Sequence, residues 1–358
     1  MRRPPETSPL KDRAAKDGAV LDVTVVLLDG GYASEAIGPM EVFHSAGWLW
    51  NSLQGEKPQP RFRVRAASVD GGAVMSLCGL GLEPQLAIRD VKHADLILVP
   101  AANWDGQQQI AARNAPLLPW IRKWHARGAY VAGVCTGVGS LAESGILDGR
   151  LATTHWAVAD SFRERYPKVR WQPEQLVTED GNVFCGGGIY AALDLSLYLV
   201  EKFCGHEVAV KSARSLLLNM PRSRQSGYSI VPLARPHTDS PIREIEEFLQ
   251  DHFVRGASIE ALAERARMSP RNFIRRFKAA TGRMPGEYLQ ALRMASARDL
   301  LENGRIPIGS IAAKVGYEDA AFFRALFRRH TGITPAEYRS RFGSLMLGRG
   351  DAAREESA

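Results

Sequence analysis

Long hydrophobic runs are absent from this sequence of 358 residues: nothing approaches the ~18 consecutive uncharged apolar residues that a membrane span needs. Cysteine is scarce. Cys78, Cys135, Cys185 and Cys204 form no Cys-x-x-Cys pair, which argues against zinc and against a disulfide scaffold; neither metal nor cofactor is expected. The first 17 residues are polar and lack the apolar core of a secretory signal. The expectation is a reduced, cytoplasmic protein with no membrane partner. Hydrophobic residues make up 45% and charged residues 24%, which excludes a disordered or fibrous chain. The length suggests two or three domains.

Net charge is nearly absent from most of the chain and concentrated in one part of it. Residues 240–342 carry 18 Lys and Arg against 12 Asp and Glu, while the remainder carries 28 against 27. A near-neutral body with a basic C-terminal module is an electrostatic footprint for nucleic acid. A solvated basic surface is the plainer alternative.

Residues 1–19 are charged and read as disordered. From residue 20 to 225 apolar runs alternate with helical patterns. Strands are expected at Asp22–Leu28, Phe62–Val69, Asp95–Pro100, Ala129–Val134 and Val169–Gln172, with a hairpin formed by Leu176–Thr178 and Val183–Phe184 around Glu179-Asp180-Gly181-Asn182. Helices are expected at Glu35–Trp50, Pro116–Arg127, Gly137–Ser144, Ala157–Arg165, Tyr190–Phe203 and Glu207–Asn219. Strands such as Asp95–Pro100 are apolar throughout, as when helices cover both faces. The fold class is α/β, a flavodoxin-like, mostly parallel sheet sandwiched by helices, followed by an all-α domain with two helix-turn-helix units. Residues 226–240, rich in Pro, Ser and Arg, read as a linker, 241–342 as the helical domain and 343–358 as a flexible tail.

The helical domain repeats itself. Phe273, Phe277, Thr281, Gly282, Pro285, Glu287 and Tyr288 recur 50 residues on as Phe323, Phe327, Thr331, Gly332, Pro335, Glu337 and Tyr338. Upstream the offset is 49: Leu262-Ala263 matches Ile311-Ala312, and Arg265-Ala266 matches Lys314-Val315. One extra residue therefore sits in the second copy's turn, and the whole is a duplicated supersecondary unit. In the first copy Ser258 caps Ile259–Ala266, Met268-Ser269-Pro270 turns, and Ser269 with Pro270 starts a second helix that Gly282 ends. In the second, Ser310 precedes Ile311–Val315, and Asp319–His330 follows the turn at Gly316-Tyr317. Between 269 and 281 stand four basic residues and no acid. Arg271, Asn272, Arg275 and Lys278 lie off the Phe273–Phe277 face, and Arg and Asn are the side chains that reach base edges bidentately in the major groove. A connecting helix over Glu287–Leu301, ~22 Å long, could hold two readers near one DNA turn apart.

This region resembles the AraC/XylS family of DNA-binding domains, on Ser269-x-Arg271-x-Phe273-x-Arg275-x-Phe277, Thr281-Gly282, Pro285, Tyr288, and the second set ending in Gly332 and Pro335-x-x-Tyr338. The resemblance implies a bipartite helix-turn-helix transcription factor, with activation likelier than repression and RNA polymerase as partner of an activator. By position it puts Arg271, Ile274 and Arg275 against bases and Ser269, Asn272 and Lys278 in the same interface. In the second unit the candidates are Ala321, Arg324 and Arg328, the arginines as phosphate contacts. Where the family often carries Arg, this chain has Ala325.

In the first domain, Gly133-Val134-Cys135-Thr136-Gly137 is a strand-to-helix elbow, the type of turn that presents a nucleophile at the carboxyl end of a sheet. The helix start after it is expected to lower the thiol pKa. His155, within Thr154-His155-Trp156, could act as base, and Glu35 opens the helix after the first strand. Trp104, Thr136 and Trp156 join Glu35, Cys135 and His155 as candidate ligand contacts. For each there is a bland alternative: a buried small hydrophobe for Cys135, packing for His155 and the tryptophans, a helix-start carboxylate for Glu35.

These motifs resemble the class I glutamine amidotransferase-like superfamily in its PfpI/ThiJ branch. The carriers are Glu35-x-x-Gly38-Pro39-Met40-Glu41-Val42-Phe43, the Cys135 elbow, Leu141–Arg150 and Thr154-His155-Trp156. With the AraC-type module behind, the chain is similar to the GlxA-like transcriptional regulators over residues ~20–342. That implies a homodimeric regulator sensing a small nitrogenous effector: an amino acid, betaine or related amine. No His-x-Glu motif follows near Gly186–Leu195, and Thr136 rather than His follows the cysteine, so an enzyme is not expected. A cysteine-dependent amidase or hydrolase, or a thiol redox sensor, coupled to a DNA-binding module are the alternatives.

Overall fold

The computed structural model describes residues 19–101, 115–220, 237–304 and 306–343. Trp104, most of the expected linker and nearly all of the expected terminal segments lie outside them. The chain divides into two compact units, with the boundary between Gln225 and Ser226.

The first unit runs β1 (Leu21–Val26), α1 (Ala33–Ser45), α2 (Leu49–Leu53), β2 (Phe62–Ser68), β3 (Val74–Met75), β4 (Gly81–Leu82), β5 (Leu86–Ala87), β6 (Leu96–Val99), α3 (Leu117–Ala126), β7 (Tyr130–Val134), α4 (Val138–Glu143), β8 (Leu151–Ala152), α5 (Ala159–Arg165), β9 (Arg170–Trp171), β10 (Val177–Asp180), β11 (Val183–Gly186), α6 (Ala191–Cys204) and α7 (His206–Ser215). The main sheet has the order β10-β11-β7-β6-β1-β2-β5. Every neighbour pair is parallel except β10 with β11, the expected hairpin.

Alternation along the strands builds two cores. Val23, Val25, Leu96, Leu98, Tyr130 and Ala132 face α1, α6 and α7. Val26, Ile97, Val99 and Val131 face Leu117, Trp120, Ile121 and Trp124 of α3, Leu141 of α4 and Phe162 of α5. Both faces of the central strands are thus dry, which is why those runs carry no polar alternation.

Three details differ from the sequence reading. The helix expected over Glu35–Trp50 stops at Ser45 and resumes at Leu49, because the chain turns at Gly47 with φ +73°. The Val169–Gln172 run does not join the main sheet; β9 pairs with β8 in a separate ribbon. The strands β3, β4 and β5 have two residues each, too short to register as a period.

The second unit contains α8 (Ser240–His252), α9 (Ile259–Arg265), α10 (Pro270–Thr281), α11 (Pro285–Asn303), α12 (Ile308–Lys314), α13 (Ala320–Thr331) and α14 (Pro335–Phe342). The duplication is geometric. Phe277 meets Tyr288 edge-on at 5.4 Å, and Phe327 meets Tyr338 edge-on at 5.4 Å. Thr281 Oγ1 donates to Phe277 O at 2.8 Å, and Thr331 Oγ1 donates to Phe327 O at 2.8 Å. The Met284 N–H donates to Glu287 Oε2 as the Thr334 N–H does to Glu337 Oε2.

The slip in offset lies in the turns. Residues 266–269 separate α9 from α10, and residues 315–319 separate α12 from α13. The left-handed position is Arg267 in the first turn, φ +52°, and Gly316 in the second, φ +84°. Only glycine suits the second, because a Cβ there would fall 2.3 Å from Val254 O. Ser310 sits inside α12, which begins at Ile308, three residues before the start expected at Ile311.

Each copy has its own core. Ile242, Leu262, Phe273, Phe277 and Tyr288 form one; Met294, Leu301, Ile311, Phe323, Phe327 and Tyr338 form the other. The 19-residue α11 contributes to both, spanning ~28 Å, longer than the helix expected between the units.

Candidate ligand site and nucleic-acid interface

The strand order reverses direction at β6/β1, where an open α/β sheet forms its crevice at the carboxyl ends. Glu35 and Cys135 come together there. Glu35 is fully buried in the first turn of α1, and its Oε2 accepts the Ala101 N–H at 2.5 Å. Its Oε1 is buried with no hydrogen-bond partner. Burial raises the carboxyl pKa to about 8, outweighing the Ala101 amide and the Cys135 thiol, which favour the carboxylate. At neutral pH Glu35 is therefore largely protonated.

Cys135 follows β7 with φ +54°, the strained backbone of an elbow. Thr154 Oγ1 donates to Cys135 O at 2.8 Å and fixes the turn from the side. Sequence reasoning named this threonine only as part of a motif. The thiol does not have the lowered pKa expected from the helix start. Burial pushes it up to about 12, the Glu35 charge adds to this when Glu35 ionises, and the Thr136 N–H opposes both. A thiol so placed is held mainly in its protonated form at neutral pH.

His155 has a backbone partner of its own. Its Nδ1 accepts the Ala157 N–H at 3.1 Å, leaving the proton on Nε2. Burial lowers its pKa. Its ring lies 5.3 Å from that of Trp156, which is half-buried, as is Thr136. A cavity of about 340 Å³ opens at the carboxyl ends of β1 and β2, lined by Leu27, Leu28, Asp29, Ser68, Asp70 and Val74. Both its carboxylates accept backbone amides, Asp29 from Met75 and Asp70 from Gly72.

At the opposite end of the sheet, ligand-type atoms of Asp22, His93 and Asp95 lie within 4.8 Å of one another. The Arg63 guanidinium grips Asp22 at 2.5 and 2.7 Å and holds its pKa down, so the cluster joins β1, β2 and β6 as an ion-pair network.

In the second unit α10 is buried on one side and charged on the other. Phe273 and Phe277 are inaccessible, while Arg271, Arg275 and Lys278 are exposed. Ser269 Oγ caps the helix by accepting the Asn272 N–H at 3.4 Å. Asn272 Oδ1 accepts from Arg275 Nη2 at 2.8 Å, which orients the guanidinium. Ile274 is half-buried against the first core and offers only part of its side chain. Arg276 is diverted: its Nε donates to Asp239 Oδ2 at 2.5 Å, a tie the charge pattern could not show. On α13, Ala321, Arg324, Ala325 and Arg328 are all exposed. Asp319 caps that helix by accepting the Ala321 N–H at 2.7 Å.

An α/β elbow domain followed by a duplicated helix-turn-helix module defines a class of transcriptional regulator. The chain belongs to the DJ-1/PfpI family, which matches residues 22–202, and a helix-turn-helix domain family matches residues 262–341. The HTH-type transcriptional regulator CdhR of Pseudomonas aeruginosa is 28% identical over 327 residues, covering 89% of this chain and 91% of that protein. The HTH-type transcriptional regulator GlxA of Rhizobium meliloti is 25% identical over 289 residues, covering 80% and 87%. The isonitrile hydratase of Pseudomonas putida is 34% identical over 151 residues, covering 42% of this chain and 63% of the enzyme. Among the described residues no helix is long and apolar enough to cross a membrane.

Proposed function

We propose that this regulator reads duplex DNA through α10 and α13 and is controlled by a small nitrogenous effector bound in its α/β domain. It acts in the cytoplasm as a homodimer and as an activator that engages RNA polymerase. The observation that carries the DNA reading is α10 itself: three exposed cations on a helix whose other face is sealed by Phe273 and Phe277. Arg271→Ala and Arg275→Ala should each weaken binding to a selected operator by about 1–3 kcal/mol and relax preference at one position. Operator affinity unchanged in both variants, measured at fixed salt, would refute the assignment.

Effector sensing is favoured over turnover by the state of the elbow. Glu35 and Cys135 are both buried with raised pKa values, and the His155 Nδ1 is taken up by the Ala157 N–H. Glu35 Oε1 has no hydrogen-bond partner, and an ammonium group set against it would supply the positive charge that stabilises the carboxylate once the proton leaves. Amino acids, betaines and other amines should raise the melting temperature, since a ligand preferring the native state stabilises it. Cys135→Ser should retain that shift. Amide turnover that Cys135→Ser abolishes would overturn the sensing role in favour of catalysis.

A further inference from the structure

Aligning the two helix-turn-helix copies by their 50-residue offset sets Arg271, Asn272 and Arg275 of α10 against Ala321, Phe322 and Ala325 of α13. These three polar positions of the first copy are apolar in the second, while Ile274 and Lys278 are matched by Arg324 and Arg328. All three residues are exposed, and Phe322 is 55% exposed, on a helix whose other face is closed by Phe323, Leu326 and Phe327. Spacings of three and four residues put Ala321, Phe322 and Ala325 on one face. Asp319, accepting the Ala321 and Phe322 amides, fixes where this face begins. The Phe322 ring is steadied by Tyr317 at 5.9 Å, and Arg293 lies over Tyr317 at 5.1 Å. Arg324, Arg328 and Arg329 are exposed on the same helix, with no acid between them.

A solvent-facing phenylalanine on a helix whose exposed charges are all basic is poorly explained by packing, and it aligns with the position where a recognition helix meets base edges. The major-groove edges of the four base pairs present donors, acceptors and one apolar group, the thymine 5-methyl. We propose that Phe322, with Ala321 and Ala325, reads thymine methyl groups, so that the second half of the operator is specified by apolar contact and the first half by hydrogen bonds. This rests on the DNA-binding reading above and names what the second helix selects.

The test uses the full-length protein and a randomised duplex library. Wild type should enrich sequences with a fixed thymine in one half. Replacing that thymine by deoxyuridine, which removes only the methyl, should weaken wild-type binding about four-fold, the size expected for one methyl group kept from water. Phe322→Ala should bind the thymine duplex more weakly and no longer distinguish deoxyuridine. Phe322→Leu, which retains an apolar side chain, should recover part of the discrimination. Equal binding of both duplexes by wild type, while Arg275→Ala still loses affinity, would overturn the methyl-reading proposal and leave the regulator intact. Phe322→Ala that keeps both affinity and discrimination but loses transcriptional activation would also overturn it, and would assign the ring to a protein partner. Failure of wild type to enrich any sequence would remove the DNA-binding reading and this inference with it.

Discussion

Gly137→Ala should destabilise the α/β domain by about 3 kcal/mol or more, at the upper end of overpacking costs. A Cβ at this position would lie 2.3 Å from Pro100 O and 2.5 Å from Val99 O, well inside contact distance. Those carbonyls cannot retreat cheaply. Val99 ends β6, and β6 is locked by register to β7 through the Val99–Gly133 pair. The elbow and the β6 crossover are therefore built against each other, and the glycine after Cys135 is what lets them meet. All seven tryptophans precede residue 172, so tryptophan fluorescence reports this domain without interference from the helical one. The urea midpoint so measured should fall sharply. Gly309→Ala provides the contrast, since its Cβ would meet nothing within 4 Å in an exposed helical position. Followed by far-UV circular dichroism in the helical domain, which holds no tryptophan, it should be neutral or stabilising by up to about 1 kcal/mol. A Gly137→Ala midpoint equal to wild type would mean that the close approach is not a constraint.

Much of this architecture was legible because local and global signals agree. The central strands announced themselves through apolar runs, and the helix-turn-helix copies through residues whose roles are local: Ser269 as cap, Gly282 and Gly332 as left-handed stops, Phe277–Tyr288 and Phe327–Tyr338 as paired rings. Even the one-residue slip between copies was readable and falls in the turns. What was hidden depends on long-range geometry. Arg276 counted as part of a basic surface until the structure tied it to Asp239, 37 residues away. The elbow implied an activated thiol, since helix starts favour anions. The structure reverses this because desolvation of a buried thiol beside a buried carboxyl outweighs one amide hydrogen bond. His155 stood near the right motif, yet its ring nitrogen serves the backbone of the next turn. Phe322 lacked any polar signature and could be found only by asking what replaces Asn272 at the same register.

Glu35→Gln should make the α/β domain more stable than wild type at alkaline pH and leave it similar near pH 4.5. The sign follows from the native pKa of about 8, raised from an ordinary value of 4.5. The native state holds its proton more tightly than the unfolded chain does. The associated stability is fully present below about 4.5, declines as pH rises through 8, and does not fall further beyond. The full loss is on the order of 5 kcal/mol. Glutamine cannot ionise, and its carbonyl can still accept the Ala101 amide, so the variant should lack this dependence. The difference between the two proteins, followed by tryptophan fluorescence in urea at stepped pH, isolates Glu35 from every other titrating group. A difference constant from pH 4.5 to 9 would show that Glu35 is not held neutral. A cationic effector sharpens the point. An ammonium placed against Oε1 would favour the carboxylate, so binding should release a proton between pH 6 and 8 in wild type and not in Glu35→Gln. A buried neutral carboxyl at a fold's crevice thereby becomes a receptor for positive charge, and the proton count on binding measures whether it is used as one.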